Sequence, residues 1–213
     1  MPKVLILGGH GDGLVAAQVL RDMQRSGQDI ELAGFLNDRI PKGGEISSIP
    51  VLGTIPEWEA FPLDTMFHIA LHKVGHMRAR VDLIESLGIP ANRLASLVHP
   101  SAQIADDVQI GAGALIASYV TCQPGVSVGI GATVRAGANL GHDVHIADFA
   151  YVGPNATLCG RATTGKGSHV APGAIVVDGV SLADFALLGA GGVAFRPMGE
   201  DEVWMGNPAR KVK

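Results

Sequence analysis

Charge is sparse in this chain: 17% of its 213 residues are Asp, Glu, Lys or Arg, and aromatic residues fall to 5%. The 20 acidic side chains outnumber the 16 basic ones, giving a net charge of −4, and no stripe of Lys and Arg is present. That balance argues against a nucleic-acid partner, which needs a clustered positive face. With only two cysteines, Cys122 and Cys159, there is no disulfide framework, and both are expected to be reduced thiols. No apolar run approaches the ~20 residues of a membrane-spanning helix. The opening MPKVLILGGHGDG lacks the n-region, h-region and cleavage site of a signal peptide and reads as a buried strand entering a turn. These absences predict a soluble, cytoplasmic protein. What is plentiful is glycine, 29 residues, within a composition that is 47% hydrophobic.

The hydrophobic residues of the second half keep a strict beat. From Val98 every sixth residue is aliphatic or a close substitute, through Ile104, Ile110, Ile116, Cys122 and Val128 to Val176, Leu182 and Leu188, without insertion or deletion. Four residues after each comes a small or compact one, among them Ala114, Ala132, Ala150, Ala174 and Ala186. A period of six fits neither an α-helix nor a simple amphipathic strand. It is the signature of a hexapeptide solenoid, a parallel β-helix in which each repeat forms one short side of a prism. If the aliphatic residue is position one, position three holds Pro100, Pro124, Pro154 and Pro172, and position four repeatedly holds Gly. Pro followed by Gly suits the central pair of a type II turn, so these positions are the corners. Three repeats make an 18-residue coil, and residues 18 apart stack at about the ~4.8 Å spacing of neighbouring strands.

One corner breaks the pattern. His142-Asp143 occupies a Pro/Gly slot, with Gly160-Arg161 one coil above and Pro124-Gly125 one coil below. An outward imidazole there does nothing for the core, so it reads either as a functional base or as an exposed polar corner; Asp at position four also tolerates a left-handed backbone. His145 and His169 fall at position six and point outward from two different flat faces. Three histidines gathered around zinc, as in a carbonic-anhydrase-like solenoid, would require neighbouring subunits, and the spacing does not demand it.

Residues 1–96 have a different grammar. Lys3 to Leu7 is a strand buried on both faces, followed by the turn Gly8-Gly9-His10-Gly11-Asp12-Gly13 and a helix marked by Ala16, Val19, Leu20 and Met23. Ile30 to Leu36 is a second strand, ending in Asn37-Asp38; Pro41 to Gly44 is loop, Thr65 to Leu71 a further strand and Met77 to Leu87 a helix. Strand, glycine turn, helix, strand is the order of a small parallel α/β sheet. The glycines do not reproduce GxGxxG. Amides at that helix N-terminus offer a site for one anionic group, or the glycines serve only the tight turn. The architecture expected is a small Rossmann-like α/β domain, 1–96, followed by an all-β parallel β-helix with a C-terminal tail, 97–213.

With this register, the chain resembles the left-handed β-helix (hexapeptide repeat) sugar acetyltransferases that carry an N-terminal nucleotide-binding domain. These include N-acetyltransferases of nucleotide-linked 4-amino sugars and sialic acid O-acetyltransferases. The likeness rests on the glycine turn, Gly34-Phe35-Leu36-Asn37-Asp38, Val98-His99-Pro100-Ser101-Ala102, His142-Asp143 and the closing Gly206-Asn207-Pro208-Ala209-Arg210. It implies an acetyl-CoA-dependent acetyltransferase of surface glycan synthesis, homotrimeric, needing no metal. In that family the residue matching His142 takes a proton from the acceptor, the one matching Asp143 orients it, and the amide matching Gly160 stabilises the oxyanion. Ala171, Gly173, Gly189, Ala190 and Gly191 correspond to the groove of the pantetheine arm; Pro208, Arg210 and Lys211 lie in the loop near the adenine and 3′-phosphate. Gly9, His10, Gly11, Asn37, Asp38, Arg135 and Tyr151 correspond to acceptor-binding positions. The match departs from the family at His10-Gly11-Asp12, where the usual order is inverted, and at Asn37-Asp38 in place of Asp-Asp. It departs again at Leu71-His72 in place of Ile-Gly, at Arg135 for Asn and at Tyr151 for a second His.

Overall fold

A computed structural model describes residues 1–213. Its first 96 residues build one five-stranded sheet. Strand β1 (Lys3–Gly8) enters helix α1 (Asp12–Arg25), and β2 (Glu31–Leu36) returns beside β1. A hairpin comes next, β3 (Glu45–Ile46) and β4 (Ile49–Gly53), then a 3-10 turn over Ile55–Ala60, β5 (Met66–Ala70) and α2 (Met77–Ser86). The spatial order β3-β4-β2-β1-β5 is parallel except for β3, which runs antiparallel to β4 at the edge. Sequence pattern gives no reading across this hairpin, because strands of two and five residues with an exposed Pro50 carry little periodic signal. Val4, Leu5, Ile6 and Leu7 are all buried, as a central strand covered on both faces requires.

From Leu97 the chain winds as a three-sided column. The first face is made of Leu97–Val98, Leu115–Ile116, Thr133–Val134, Tyr151–Val152, His169–Val170 and Leu187–Leu188. The second runs from Gln103–Ile104 through Asn139–Leu140 and Thr157–Leu158 to Val193–Ala194, and the third from Gln109–Ile110 through His145–Ile146 to Ser181–Leu182. Partners within the column differ by 18 residues, for example Thr121 with Asn139 and Asn139 with Thr157. The winding is the left-handed parallel β-helix expected of the hexapeptide beat, and it continues one step past Leu188, to Val193–Ala194. Ladders of Ile116, Val134, Val152, Val170 and Leu188, and of their counterparts on the other faces, fill the interior with almost no exposure. Each such side chain contributes about 1.5–3 kcal/mol by leaving water. From Gly113 onward the fourth position of the corners is left-handed whether or not it is glycine: Tyr119, Asp143, Phe149, Asn155, Arg161 and Phe185 all have φ between 55° and 59°.

Two devices finish the column. The α/β domain lies against its first face: Leu97 and Leu115 join the core beneath α1, and Phe149 and Phe185 reach from the next corner into the cluster of α2. At the far end, Val203–Met205 adds a parallel strand beside Leu187–Leu188 and pairs with Arg210–Lys211 in an antiparallel ribbon. Arg78 of α2 binds Glu200 and Asp201 at 2.6 Å, tying this cap to the first domain.

Candidate active site

His142 and Asp143 lie at the corner between the second and third faces, 51% and 65% exposed. The outward placement comes from the winding, since the next inward residue is Val144. Asp143 takes the left-handed φ of 58° that this position imposes, and its backbone N–H donates to Pro124 O at 3.0 Å. The His142 backbone N–H donates to Gln123 Oε1 at 3.1 Å. Nδ1 of His142 and Oδ2 of Asp143 are 2.9 Å apart. With a proton on Nδ1 donated to the carboxylate, Nε2 is left as the basic nitrogen.

That nitrogen lies over Gly160, one coil above. A β-carbon at Gly160 would stand 2.5 Å from Nε2 and 2.7 Å from Cε1 of His142, so only glycine lets the ring rest there. Position three of each corner turns its amide away from the strand ladder, which is why proline is accepted at 124, 154 and 172. At Gly160 the N–H is retained and has no acceptor within the protein. An imidazole, a carboxylate beside it and an unspent amide donor therefore share one edge, an arrangement capable of acyl transfer.

A second constellation sits in the α/β domain. The carboxyl ends of β1, β2 and β5 open into a cleft of about 530 Å³ at the point where the strand order reverses, the usual ligand crevice of such sheets. Gly8, Gly9, His10, Asn37, Asp38 and His72 line it. Gly8 is required: a β-carbon there would meet Ala70 O at 2.5 Å. The side chains of Asn37 and Asp38 serve the framework first. Asn37 donates to Gly8 O at 2.8 Å and accepts from Arg39 and Ile40 N–H, while Asp38 accepts the Ile55 N–H at 2.8 Å. Gly11 has a φ of 75° at the entry to α1.

Arg135 and Tyr151 join this region to the column. Arg135 pairs with Asp12 in the first turn of α1, and its guanidinium donates to Tyr151 Oη at 3.1 Å. Tyr151 stacks on His169, rings parallel and centroids 4.6 Å apart, and the His72 ring lies 5.7 Å from it. His169 thus does project from a flat face, yet it is buried, because the α/β domain covers that face. Burial holds the imidazoles of His72 and His169, and of His68 inside β5, down at about 4, and pushes the Tyr151 phenol up. Sequence reasoning missed His72 and His169 as a cluster with Tyr151, since their meeting depends on how two domains pack.

The small residues form a third group. Ala171 and Gly173 stack beneath Gly189 and Gly191 at the corner between the first and second faces, with Ala190 beside them. The tail is laid over them: Gly189 N–H donates to Trp204 O at 2.8 Å, and Val193 N–H to Gly206 O at 3.0 Å. Pro208 and Arg210 are exposed beside this corner. Lys211 is paired with Glu202 at 2.8 Å, because the ribbon turns it back toward Trp204. Lys211, with the Gly199 N–H and the Trp204 indole, holds the Glu202 carboxyl at about 2. Cys122 and Cys159 are free thiols, and burial pushes Cys122 up to about 11. No three His, Cys, Asp or Glu side chains converge in a way that could hold a metal ion.

The three groups do not meet within one chain. The His142 corner joins the second and third faces and so lies opposite the first face, which carries the α/β domain. The second face separates His142 from the small-residue corner.

No family model matches the sequence. A UDP-N-acetylbacillosamine N-acetyltransferase of Bacillus subtilis strain 168 is 30% identical over 118 residues, 54% of this chain and 51% of that protein. The match thus spans about half the length of the curated relative. Among solved structures, the acetyltransferase domain of PglB from Neisseria gonorrhoeae FA1090, in complex with acetyl coenzyme A, superimposes with a TM-score of 0.85 at 26% identity, covering 99% of both chains. PerB from Caulobacter crescentus, in complex with CoA and GDP-perosamine, does so with a TM-score of 0.74 at 25% identity, covering 99% of this chain and 97% of that one. The homologues of this chain are sugar N-acetyltransferases of the hexapeptide left-handed β-helix type.

Proposed function

We propose that the protein is an acetyl-CoA-dependent acetyltransferase that acylates the amino group of a nucleotide-linked amino sugar, for a surface glycan. In this reading residues 1–96 bind the nucleotide and residues 97–213 carry out the transfer. The observation that carries it is the edge geometry: Nδ1 of His142 held by Asp143 at 2.9 Å, with Nε2 directed over a glycine whose N–H is free. The acceptor nitrogen attacks the thioester carbonyl, and Nε2 of His142 accepts its proton as the C–N bond forms. The Gly160 N–H receives the developing oxyanion, and the imidazolium returns the proton to the CoA thiolate as the C–S bond breaks. Asp143 stabilises the imidazolium between the two transfers.

The separation of the three groups supports a homotrimer. Three columns side by side would set the His142 edge of one copy against the small-residue edge, Ala171 to Gly191, of the next. The α/β cleft, with Gly9, His10, Gly11, Asn37, Asp38, Arg135 and Tyr151, would then receive the nucleotide end of the acceptor, and Pro208, Arg210 and Lys211 would lie toward the adenine end of CoA. Acetyl-CoA and nucleotide sugars are both cytoplasmic metabolites, which supports a cytoplasmic enzyme; no helix is long and apolar enough to cross a membrane.

The test is an acceptor screen with acetyl-CoA, in which UDP- and GDP-linked 4-amino sugars compete with free nonulosonic acids and thiol release is monitored. Turnover of an amino sugar that His142→Ala abolishes, at unchanged oligomeric state, supports the reading. Transfer only to a nonulosonic acid hydroxyl would make this an O-acetyltransferase, and no thioester cleavage with any acceptor would remove the activity altogether.

A further inference from the structure

The catalytic edge does not end at Gly160. One coil higher, Asp178 fills the same corner position, 49% exposed. Its Oδ2 pairs with Arg161, the residue after Gly160, and its Oδ1 faces the coil below. Oδ1 lies 2.9 Å from the point where a Gly160 β-carbon would stand, and Nε2 of His142 approaches that same point, from the coil below, at 2.5 Å. The gap left by the missing side chain is thus flanked by the basic nitrogen on one side and a free carboxylate oxygen on the other. A nitrogen placed at its mouth can contact both at hydrogen-bonding length.

We infer that Asp178 is the acceptor-selecting residue of this site, its Oδ1 receiving the amino group of the incoming sugar as that group meets His142. The inference rests on the acetyltransferase reading above and adds what distinguishes an amine from a hydroxyl. An alkylamine carries positive charge near neutral pH, and its nitrogen becomes positive again as the C–N bond forms, before its proton is lost. A carboxylate at hydrogen-bonding distance favours both states, whereas a neutral hydroxyl gains only an ordinary hydrogen bond. The protons balance with the groups present. The bound ammonium gives one proton to solvent, and the amine then attacks the thioester carbonyl. Nε2 of His142 takes the second proton, which passes to the departing thiolate. Asp178 exchanges no proton; it holds the nitrogen. Gly160 keeps the space open.

The alternative is that Asp178 and Arg161 form a surface ion pair that only stiffens the corner. Two variants separate these roles, Asp178→Asn, which keeps the shape and removes the charge, and Arg161→Gln, which breaks the ion pair and leaves the carboxylate. GDP-perosamine is the amine probe, its 4-hydroxy analogue the competitive inhibitor, and the oligomeric state of each variant is checked first. Asp178→Asn should raise the KM for GDP-perosamine about tenfold, the weight of one charge-assisted hydrogen bond at a half-exposed site. The KM for acetyl-CoA and the Ki of the hydroxy analogue should stay within about twofold, and Arg161→Gln should leave the amine KM within the same range. Equal weakening of amine and hydroxyl ligands in Asp178→Asn, matched by Arg161→Gln, would overturn the inference, as would an unchanged amine KM. If the native enzyme does not turn over GDP-perosamine, the amine accepted in the screen above replaces it; failure of every acceptor removes the enzymatic reading itself, a different result from an indifferent Asp178.

Discussion

The imidazole of His142 rests across the α-carbon of Gly160, with Nε2 2.5 Å from where a β-carbon would be. Gly160→Ala should therefore leave the column folded, because Gly160 does not require a left-handed backbone, but push the ring off its place above the free amide. The expected result is a fall in kcat of about 10²–10³, within the range for losing a positioned base or an oxyanion donor. Unchanged melting and oligomeric state, with steady-state rates at saturating acetyl-CoA, make the check. Near-normal turnover would show that ring and amide need not be in contact.

In the proposed reaction Asp143 would have two duties that substitution can divide. Asn tolerates the φ of 58° and can still accept from Nδ1, but it cannot balance an imidazolium. Asp143→Asn should lower kcat about tenfold or more without loss of stability, whereas Asp143→Ala should lose activity and about 1 kcal/mol as well, since alanine resists the left-handed turn. Chemical denaturation alongside kinetics tells the two apart.

Three histidines make the fold sensitive to acid. His68, His72 and His169 are held by burial at about 4, while in the unfolded chain they titrate at about 6.5. Between those values the unfolded chain binds protons that the folded one refuses. Stability from this source is thus constant above about pH 6.5 and falls as the pH drops toward 4. Melting temperature measured across that window should decline, and His169→Phe, which keeps the stack on Tyr151, should make the decline shallower. An identical acid slope in the variant would mean that His169 is already protonated in the folded protein.

Gly167 and Phe185 show how the α/β domain is seated. Gly167 has a φ of 61°, and a β-carbon there would lie 2.6 Å from the Phe185 ring, which Arg78 of α2 covers at 4.0 Å. Gly167→Ala should cost about 1–3 kcal/mol through backbone strain and a displaced ring. The loss would appear in thermal unfolding, while specific activity of the folded fraction stays near that of the parent.

The column was legible because each rung turns one large and one small residue inward, four places apart, and both recur every six residues. The His142 edge was legible for the same reason, as an interruption in a corner slot with Gly160 fixed above it by the 18-residue step. Glu45 to Gly53 was not, since a two-residue strand has no alternation to read. Neither was the burial of His169: position six faces outward, and only the docking of the α/β domain decides whether outward means solvent. The pairing of Lys211 with Glu202 was not legible either, because the ribbon that makes it is a tertiary turn. Asn37 and Asp38 were found in the cleft, yet their atoms are committed to holding the turn and the 3-10 segment, a division of labour that composition cannot express.

The unbroken eighteen-residue winding has a consequence for how such a gene can change. Adding or removing six residues would rotate everything downstream by one side of the triangle, carrying the tail to a different face from the one it now closes. Only whole circuits preserve the phase of the later coils, while odd lengths can be absorbed solely as loops bulging from a vertex. Lineages of this architecture are therefore free to grow taller in discrete storeys, but they cannot drift in length between them.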